Sequence, residues 1–195
     1  VDPCRCLPIT LDVGTNNRQL RQDPLYLGLK QQRLRGDDYD AVIAAFIKAV
    51  SQTFPEAVIQ FEDFGKVNAF RLLNYYRDRV CTFNDDIQGT AAVVLSGIVT
   101  ALKIKAEPLE AQKFLFLGAG GAGVGIGKLI VSALVHAGLD EKQAKQKCWY
   151  MDSKGLVVKS RSDLIDFKQP FAHDHTNIAT LEDAVKELQP SVLIG

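Results

Sequence analysis

Apolar and polar positions alternate between two grammars along this chain. From Asp38 apolar residues recur at helical spacing, with Val42, Ala45, Phe46, Ala49 and Val50 on one face, until Phe54-Pro55 breaks the run. Ala57 to Phe61 is then a short, mostly apolar run suited to a buried strand. Asn68 to Arg77 reads as a helix and Cys81-Thr82-Phe83 as a second short strand. The next helix carries Ala91, Val94, Leu95, Ile98 and Leu102 on one stripe. After Glu107-Pro108 the pattern becomes strand (Lys113 to Leu117), glycine-rich turn, helix to His136 closed by Gly138, short helix (Glu141 to Lys147) and strand (Cys148 to Met151). Thr180-Leu181-Glu182-Asp183 reads as a capping box opening a helix, and Ser191 to Ile194 as a last strand. Residues 1–36 are rich in turn residues, with Ile9 to Val13 the one candidate strand.

Strands that alternate with helices predict an α/β fold with a parallel sheet and crossover helices. The expected architecture is the end of one domain, residues 1–84, followed by the first part of a doubly wound, Rossmann-type domain, residues 85–195. A doubly wound sheet should continue past Gly195, so the chain is expected to be an internal piece of a longer protein.

Gly118, Gly120 and Gly123 fit G-x-G-x-x-G, directly after a strand and opening a helix. The first glycine permits the tight turn, the second lets backbone approach a pyrophosphate, and the third lets helix pack on strand. The helix N-terminus supplies free N–H groups and a positive dipole end. Gly118, Ala119, Gly120, Gly121, Ala122 and Gly123 are therefore candidate dinucleotide contacts. The next strand ends at Asp152, where an acid takes the ribose 2′-hydroxyl of NAD. Ser153 and Lys154 follow, with Lys159, Arg161 and Lys168 downstream. A hydroxyl and cations at the ribose suit a 2′-phosphate, which favours NADP over NAD, although most lysines are simply solvated.

Composition removes several other readings. Lys+Arg and Asp+Glu both count 23, so the net charge is zero and neither a nucleic-acid nor an anionic-membrane partner is expected. The best apolar run, Ala91 to Ile104, is broken by Ser96, Gly97 and Thr100, so no membrane span is expected. Cys4, Cys6, Cys81 and Cys148 make no disulfide framework, and no second pair follows Cys4 and Cys6 at zinc spacing.

Glu62-Asp63 and Asp85-Asp86 each follow a predicted strand, on the edge where open α/β sheets bind ligands. Brought together, two acidic pairs repel unless a cation joins them, and hard oxygen donors suit Mg²⁺ or Mn²⁺. A plainer account stays open: Asp85 or Asp86 caps the following helix, and Glu62 is a loop charge. His136 falls at a helix C-terminus, and His173 and His175 in a loop.

Phe61-Glu62-Asp63-Phe64-Gly65, then Asn68-Ala69-Phe70, then Cys81-Thr82-Phe83-Asn84-Asp85-Asp86-Ile87-Gln88-Gly89-Thr90 resemble malic enzymes. So do Asp12-Val13-Gly14-Thr15-Asn16-Asn17 and Asp152-Ser153-Lys154-Gly155-Leu156, while Phe167-Lys168-Gln169-Pro170-Phe171-Ala172-His173 is similar to the NADP-dependent, plant-like members. The resemblance covers essentially the whole chain. It implies Glu62, Asp63 and Asp86 as ligands of a catalytic Mn²⁺ or Mg²⁺, and Asp85 as the acid partnering the family's catalytic lysine. Asp86, Thr90 and the 118–123 loop would lie along the cofactor, with Asp152, Ser153, Lys154 and Lys168 around the adenosine ribose and the two lysines reading its 2′-phosphate. The sequence departs from the family at Gly121, where Glu is common, and at Lys66-Val67, where a polar pair is common; Lys66 would disturb the charge near the metal acids.

The implied reaction is oxidative decarboxylation of L-malate to pyruvate and CO₂ with reduction of NADP, in a dimer or tetramer. The expected location is cytoplasmic, or, if a transit peptide precedes these residues, plastid or alternatively mitochondrial. The family's general-acid tyrosine and general-base lysine belong to segments outside this chain, so the chain alone is expected to be inactive. Two competing accounts are an NAD-preferring malic enzyme or other metal-assisted hydroxyacid dehydrogenase, and a non-catalytic dinucleotide-binding module.

Overall fold

The computed structural model describes residues 2–195, and every side chain in that span except those of Lys66 and Val67. The chain divides into two compact units, residues 1–57 and 58–195.

In the first unit, Asn17 caps a short helix α1 (Arg18–Gln22) through its side-chain oxygen, and a longer helix α2 spans Gly36–Thr53. The buried stripe of α2 is Tyr39, Ile43 and Ile47, flanked by half-buried Val42, Phe46 and Val50. Ala45 and Ala49, expected on the inner face, are exposed: the branched isoleucines bury more area than alanine and turn the helix toward themselves. No strand forms at Ile9–Val13. Among the described residues that stretch makes one backbone bond to the segment 31–34, Leu34 N–H to Val13 O, with Thr15 N–H to Gln31 O just beyond it. The Asp12 carboxylate takes the N–H groups of Gly14 and Leu29 and so replaces a ladder with a side-chain-tied turn.

The second unit opens with strand β1 (Ile59–Phe61), helix α3 (Lys66–Tyr76) and strand β2 (Thr82–Asn84). β1 and β2 pair in parallel, with Phe61 opposite Asn84. A π-helical turn, Asp85–Gly89, leads into α4 (Thr90–Lys105). Then come β3 (Phe114–Leu117), α5 (Gly121–His136), α6 (Glu141–Gln146), β4 (Cys148–Asp152), β5 (Gly155–Leu156), α7 (Leu181–Leu188) and β6 (Val192–Ile194). The larger sheet has the order β5-β4-β3-β6, with β3 parallel to both β4 and β6. The connection from β4 therefore crosses back over β3, which makes the C-terminal end of β3 the topological switch point of the sheet.

Four details differ from the sequence reading. β5 runs antiparallel to β4, a pairing of two residue pairs too short to leave a periodicity. His173 is not purely in a loop: it bridges Val158 and exchanges backbone bonds with Val157 and Lys159. At α7 the Asp183 N–H does bond to the Thr180 hydroxyl, but the Asp183 carboxylate accepts from that hydroxyl, where a full box would return it to the backbone. Finally, within the continuous 21-residue segment Asp85–Lys105 an 18-residue window has mean hydropathy 1.6, long and apolar enough by length and composition alone to cross a membrane. The turn before α4 lengthens the apolar window, and Ser96 and Thr100 return their hydroxyls to the carbonyls of Ala92 and Ser96. In this fold the stripe Ala91, Val94, Leu95 and Ile98 packs into the main core with Phe114, Phe116, Val124, Ile130 and Leu134.

The core depends on a close approach of α5 to the sheet. Phe116 and Tyr150, neighbours across β3 and β4, stack with ring centroids 4.3 Å apart. A Cβ at Gly127 would stand 1.6 Å from the Tyr150 hydroxyl, and that ring is only 1% exposed and cannot yield. Gly127→Ala is expected to lose about 1–3 kcal/mol despite alanine's higher helix propensity. Chemical denaturation of the full-length variant checks this, and an unchanged midpoint would refute it.

Candidate active site

The parallel register of β1 and β2 sets two acidic pairs beside each other. Phe61 and Asn84 are opposite, so Glu62-Asp63 and Asp85-Asp86 leave adjacent strands at the same level. One carboxylate oxygen from each of Glu62, Asp63 and Asp86 lies within 4.8 Å of the others. Asp63 holds a left-handed backbone, φ 58°, and donates its N–H to the Asp86 carboxylate at 2.9 Å. Such strain in a non-glycine residue is characteristic of functional sites, and Asp tolerates it better than most. The Gln60 amide, 3.2 Å from Glu62, favours that carboxylate's charged form. Desolvation and the neighbouring charges of Asp86 and Asp85 outweigh it and hold the Glu62 pKa above its ordinary value. The donor set is all oxygen and anionic, which is the chemistry of a site for a hard divalent cation.

Asn84 anchors the turn that presents Asp85 and Asp86. Its side-chain oxygen accepts from Ile87 N–H at 2.9 Å, and its own N–H donates to the Gln88 side chain at 3.0 Å. Asn84 is fully buried and its side-chain NH₂ has no hydrogen-bond partner among the described residues. Gly89 makes room for Asp85, since a Cβ there would stand 1.9 Å from the Asp85 carboxylate. Neither Asn84 nor Gln88 stood out in the sequence, because a buried asparagine looks like any turn residue until its burial is known.

The glycine loop lies at the switch point. Gly118 adopts φ 128°, and its N–H donates to Met151 O at 2.9 Å. Any side chain at Gly123 would meet the Gly118 carbonyl at 2.3 Å, and one at Gly125 would meet the Ile87 carbonyl at 2.7 Å. The loop, the start of α5 and the acid-bearing turn are thus in direct contact. Ala119 is buried, Gly121 opens α5 beside Phe70, and Thr90 is exposed at the first position of α4. Glycines at 118, 120, 121 and 123 thus leave backbone without Cβ atoms around the N-terminus of α5, the kind of place where a helix receives an anion.

At the end of β4, Asp152 is surrounded by cations. Its Oδ1 accepts from Arg161 at 2.9 Å and from Lys154 N–H at 2.9 Å; its Oδ2 accepts from Arg161 at 3.1 Å and from Lys168 Nζ at 2.7 Å. Four bonds fill the acceptor capacity of a carboxylate. Burial pushes the Asp152 pKa up, but the Arg161 and Lys168 bonds prevail and lower it to about 2. Arg161 also grips Asp163, which pairs with Lys154 Nζ at 3.0 Å. Lys168 reaches the site because its neighbours are anchored, Phe167 stacked on Phe70 at 5.1 Å and Phe171 buried against Tyr150. Ser153 is exposed in the turn. Arg161 was visible only as one downstream cation among three; nothing in loop spacing marks it as the hub.

The remaining candidates are otherwise engaged. His173 stacks on Trp149 at 3.6 Å and bonds the Cys148 carbonyl through Nε2, with burial lowering its pKa. His175 pairs with Glu187, and the buried Cys148 thiol is pushed up to about 12. Cys4, Cys6 and Cys81 are free and exposed. Lys66, expected to disturb the acids, lies among the side chains outside the description.

Asp152 makes stability depend on acid. Its folded pKa lies below the unfolded value, so its contribution is complete above about pH 4 and is lost as pH falls toward 2, on the order of 2 kcal/mol in all. Unfolding midpoints measured between pH 2 and 5 should show this loss, and Asp152→Asn should flatten the acid limb; an equal slope in both proteins would count against it.

Residues 1–77 match the malic enzyme N-terminal domain profile, and residues 87–195 match the malic enzyme NAD binding domain profile. The NADP-dependent malic enzyme of Rattus norvegicus is 52% identical across 100% of this chain and 34% of its own length. A mitochondrial NADP-dependent malic enzyme of Mus musculus is 50% identical over the whole chain and 32% of its own. The crystal structure of an NAD-dependent malic enzyme from Thermotoga maritima superposes with a TM-score of 0.63 at 25% identity, covering 84% of this chain and 41% of that one. The chain thus spans about a third of the length of the curated relatives it matches. Both family profiles, the first taking in Glu62 and Asp63 and the second the glycine cradle, establish that this chain belongs to the malic enzyme family.

Proposed function

We propose that this chain carries the metal- and nucleotide-holding part of a malic enzyme that oxidatively decarboxylates L-malate to pyruvate and CO₂ with reduction of NADP. In this reading residues 1–84 belong to the malate- and metal-handling domain and residues 85–195 to the nucleotide-binding domain. The observation that carries it is the joining, through α5, of a three-carboxylate donor set to a glycine cradle at the sheet's switch point.

Glu62, Asp63 and Asp86 would hold Mn²⁺ or Mg²⁺, and the 118–123 loop with Thr90 would hold the dinucleotide. When bound, the cation supplies Lewis acidity toward a hydroxyacid oxygen and the nicotinamide supplies the hydride acceptor. The chain's own residues do the arranging. Asn84 and Gln88 fix the turn, so that Asp85 and Asp86 are presented without reorganisation. Asp85, seated over Gly89, is positioned to orient a basic partner supplied by another part of the protein.

The cofactor reading rests on Asp152. With its acceptor sites taken inside the chain, it organises cations and is not a free acceptor for a ribose hydroxyl, which supports NADP over NAD. Exposed apolar side chains such as Leu25, Leu27 and Ile104 suit packing against further polypeptide, as in a dimer or tetramer.

The test uses the full-length gene product containing these residues, followed for NADP⁺ and NAD⁺ reduction with L-malate, with and without Mn²⁺. Metal-dependent pyruvate formation is expected; oxaloacetate as end product would indicate a plain dehydrogenase. Asp86→Asn should weaken Mn²⁺ binding by about 10–100-fold or more and abolish turnover, and an unchanged Mn²⁺ affinity would remove Asp86 from the donor set. Lys154→Ala combined with Lys168→Ala should shift preference from NADP⁺ toward NAD⁺; an unaltered ratio of kcat/KM values would take both lysines out of the role.

A further inference from the structure

The five charged groups at the end of β4 do not have equal standing. Lys168 and Asp152 are mostly buried, with side chains 16% and 13% exposed, and Arg161 is 9% exposed. Lys154 and Asp163 are the accessible pair, at 65% and 35%. Three cations and two carboxylates leave this network a net charge of one positive unit.

A phosphate monoester brings between one and two negative charges and several strong acceptor oxygens. To be read here it must compete for lysine ammonium groups with the carboxylates that hold them, and a lysine can also lend a spare N–H without leaving its partner. Lys168 is tied to Asp152 in a sheltered pair, where breaking the contact strands a buried charge. Lys154 is tied to Asp163 at the surface, where water and salt screen the contact and separation is easy. The Lys154–Asp163 pair is therefore the one that opens. Asp163 itself stays in place, because Arg161 grips both of its oxygens at 3.1 and 2.9 Å. It remains beside the incoming phosphate as a fixed like charge.

We propose that Asp163 is a specificity-determining residue: an internal counter-ion of Lys154 that competes with the nucleotide 2′-phosphate and so restrains the preference for a 2′-phosphate over a 2′-hydroxyl. The proposal rests on the reading of Lys154 and Lys168 as 2′-phosphate contacts. A nucleotide lacking that phosphate leaves the pair closed and is indifferent to Asp163.

The test is equilibrium binding, by calorimetry, of 2′,5′-ADP and 5′-AMP to the full-length protein, with no turnover involved. Asp163→Asn keeps an acceptor for Arg161 and raises the local charge by one unit. It should tighten 2′,5′-ADP by about threefold or more at low salt and leave 5′-AMP nearly unaltered, with the gain shrinking as salt rises. The gain should vanish in a Lys154→Ala background. Asp163→Ser serves if the asparagine variant does not fold. A wild type that prefers 2′,5′-ADP, with variants that bind it no better or more weakly, overturns the role of Asp163 alone. An equal gain with and without Lys154 reduces it to a general charge effect and also overturns it. A wild type that binds the two nucleotides equally removes the lysine reading, and this proposal with it.

Discussion

Helix α5 approaches its neighbours more closely than side chains would allow, and most of the nucleotide-binding unit is arranged around that contact. Three glycines spaced two apart face three different partners. Gly123 lies on the Gly118 carbonyl, Gly125 on the Ile87 carbonyl and Gly127 on the Tyr150 ring. The same helix therefore closes the phosphate cradle, braces the acid-bearing turn and seats on the stacked Phe116–Tyr150 pair of the sheet. Displacing α5 by the width of a methyl group would move all three at once. Helix propensity favours alanine at such positions, so their occupation by glycine reflects tertiary contact overriding local preference.

Charge is handled in opposite ways at the two ends of this arrangement. At the ends of β1 and β2, carboxylates crowd one another, and Glu62 is held above its ordinary pKa by desolvation and like charge despite its bond to Gln60. At the end of β4, Asp152 is driven far below its ordinary value by Arg161 and Lys168. The first cluster is incomplete and suited to a cation from outside. The second is saturated from within and presents surplus positive charge. On the proposed function, the first state suits a divalent metal and the second a phosphorylated ribose.

Where the sequence misled, the cause was a long-range contact. Ile9–Val13 has strand composition, but the Asp12 carboxylate draws Gly14 and Leu29 into a turn. The apolar face of α2 was read as Val42, Ala45, Phe46, Ala49 and Val50, of which the two alanines lie exposed, because periodicity fixes spacing but the bulk of Ile43 and Ile47 decides orientation. The Asp85–Lys105 segment, by contrast, was read from its pattern as a helix with an inward stripe and no membrane span, and although its hydropathy is membrane-like, in the fold that stripe packs against the sheet and α5. Hydropathy measures transfer from water and does not identify the apolar phase that receives the side chain.

By itself, the sequence determined the alternation of strand and helix, the glycine loop, the Thr180 cap and the position of the acids at strand ends. Each of these is governed by backbone sterics and hydrogen bonding within a few residues, so a short window of sequence contains its cause. The tertiary structure alone decided the parallel register that sets Glu62 and Asp63 beside Asp86, the return of β6 to the far side of β3, and the folding of the 153–168 loop that brings Arg161, Asp163 and Lys168 to Asp152. Strand pairing and loop closure are settled by the total area buried and charge compensated across the unit. No local stretch of residues encodes that sum.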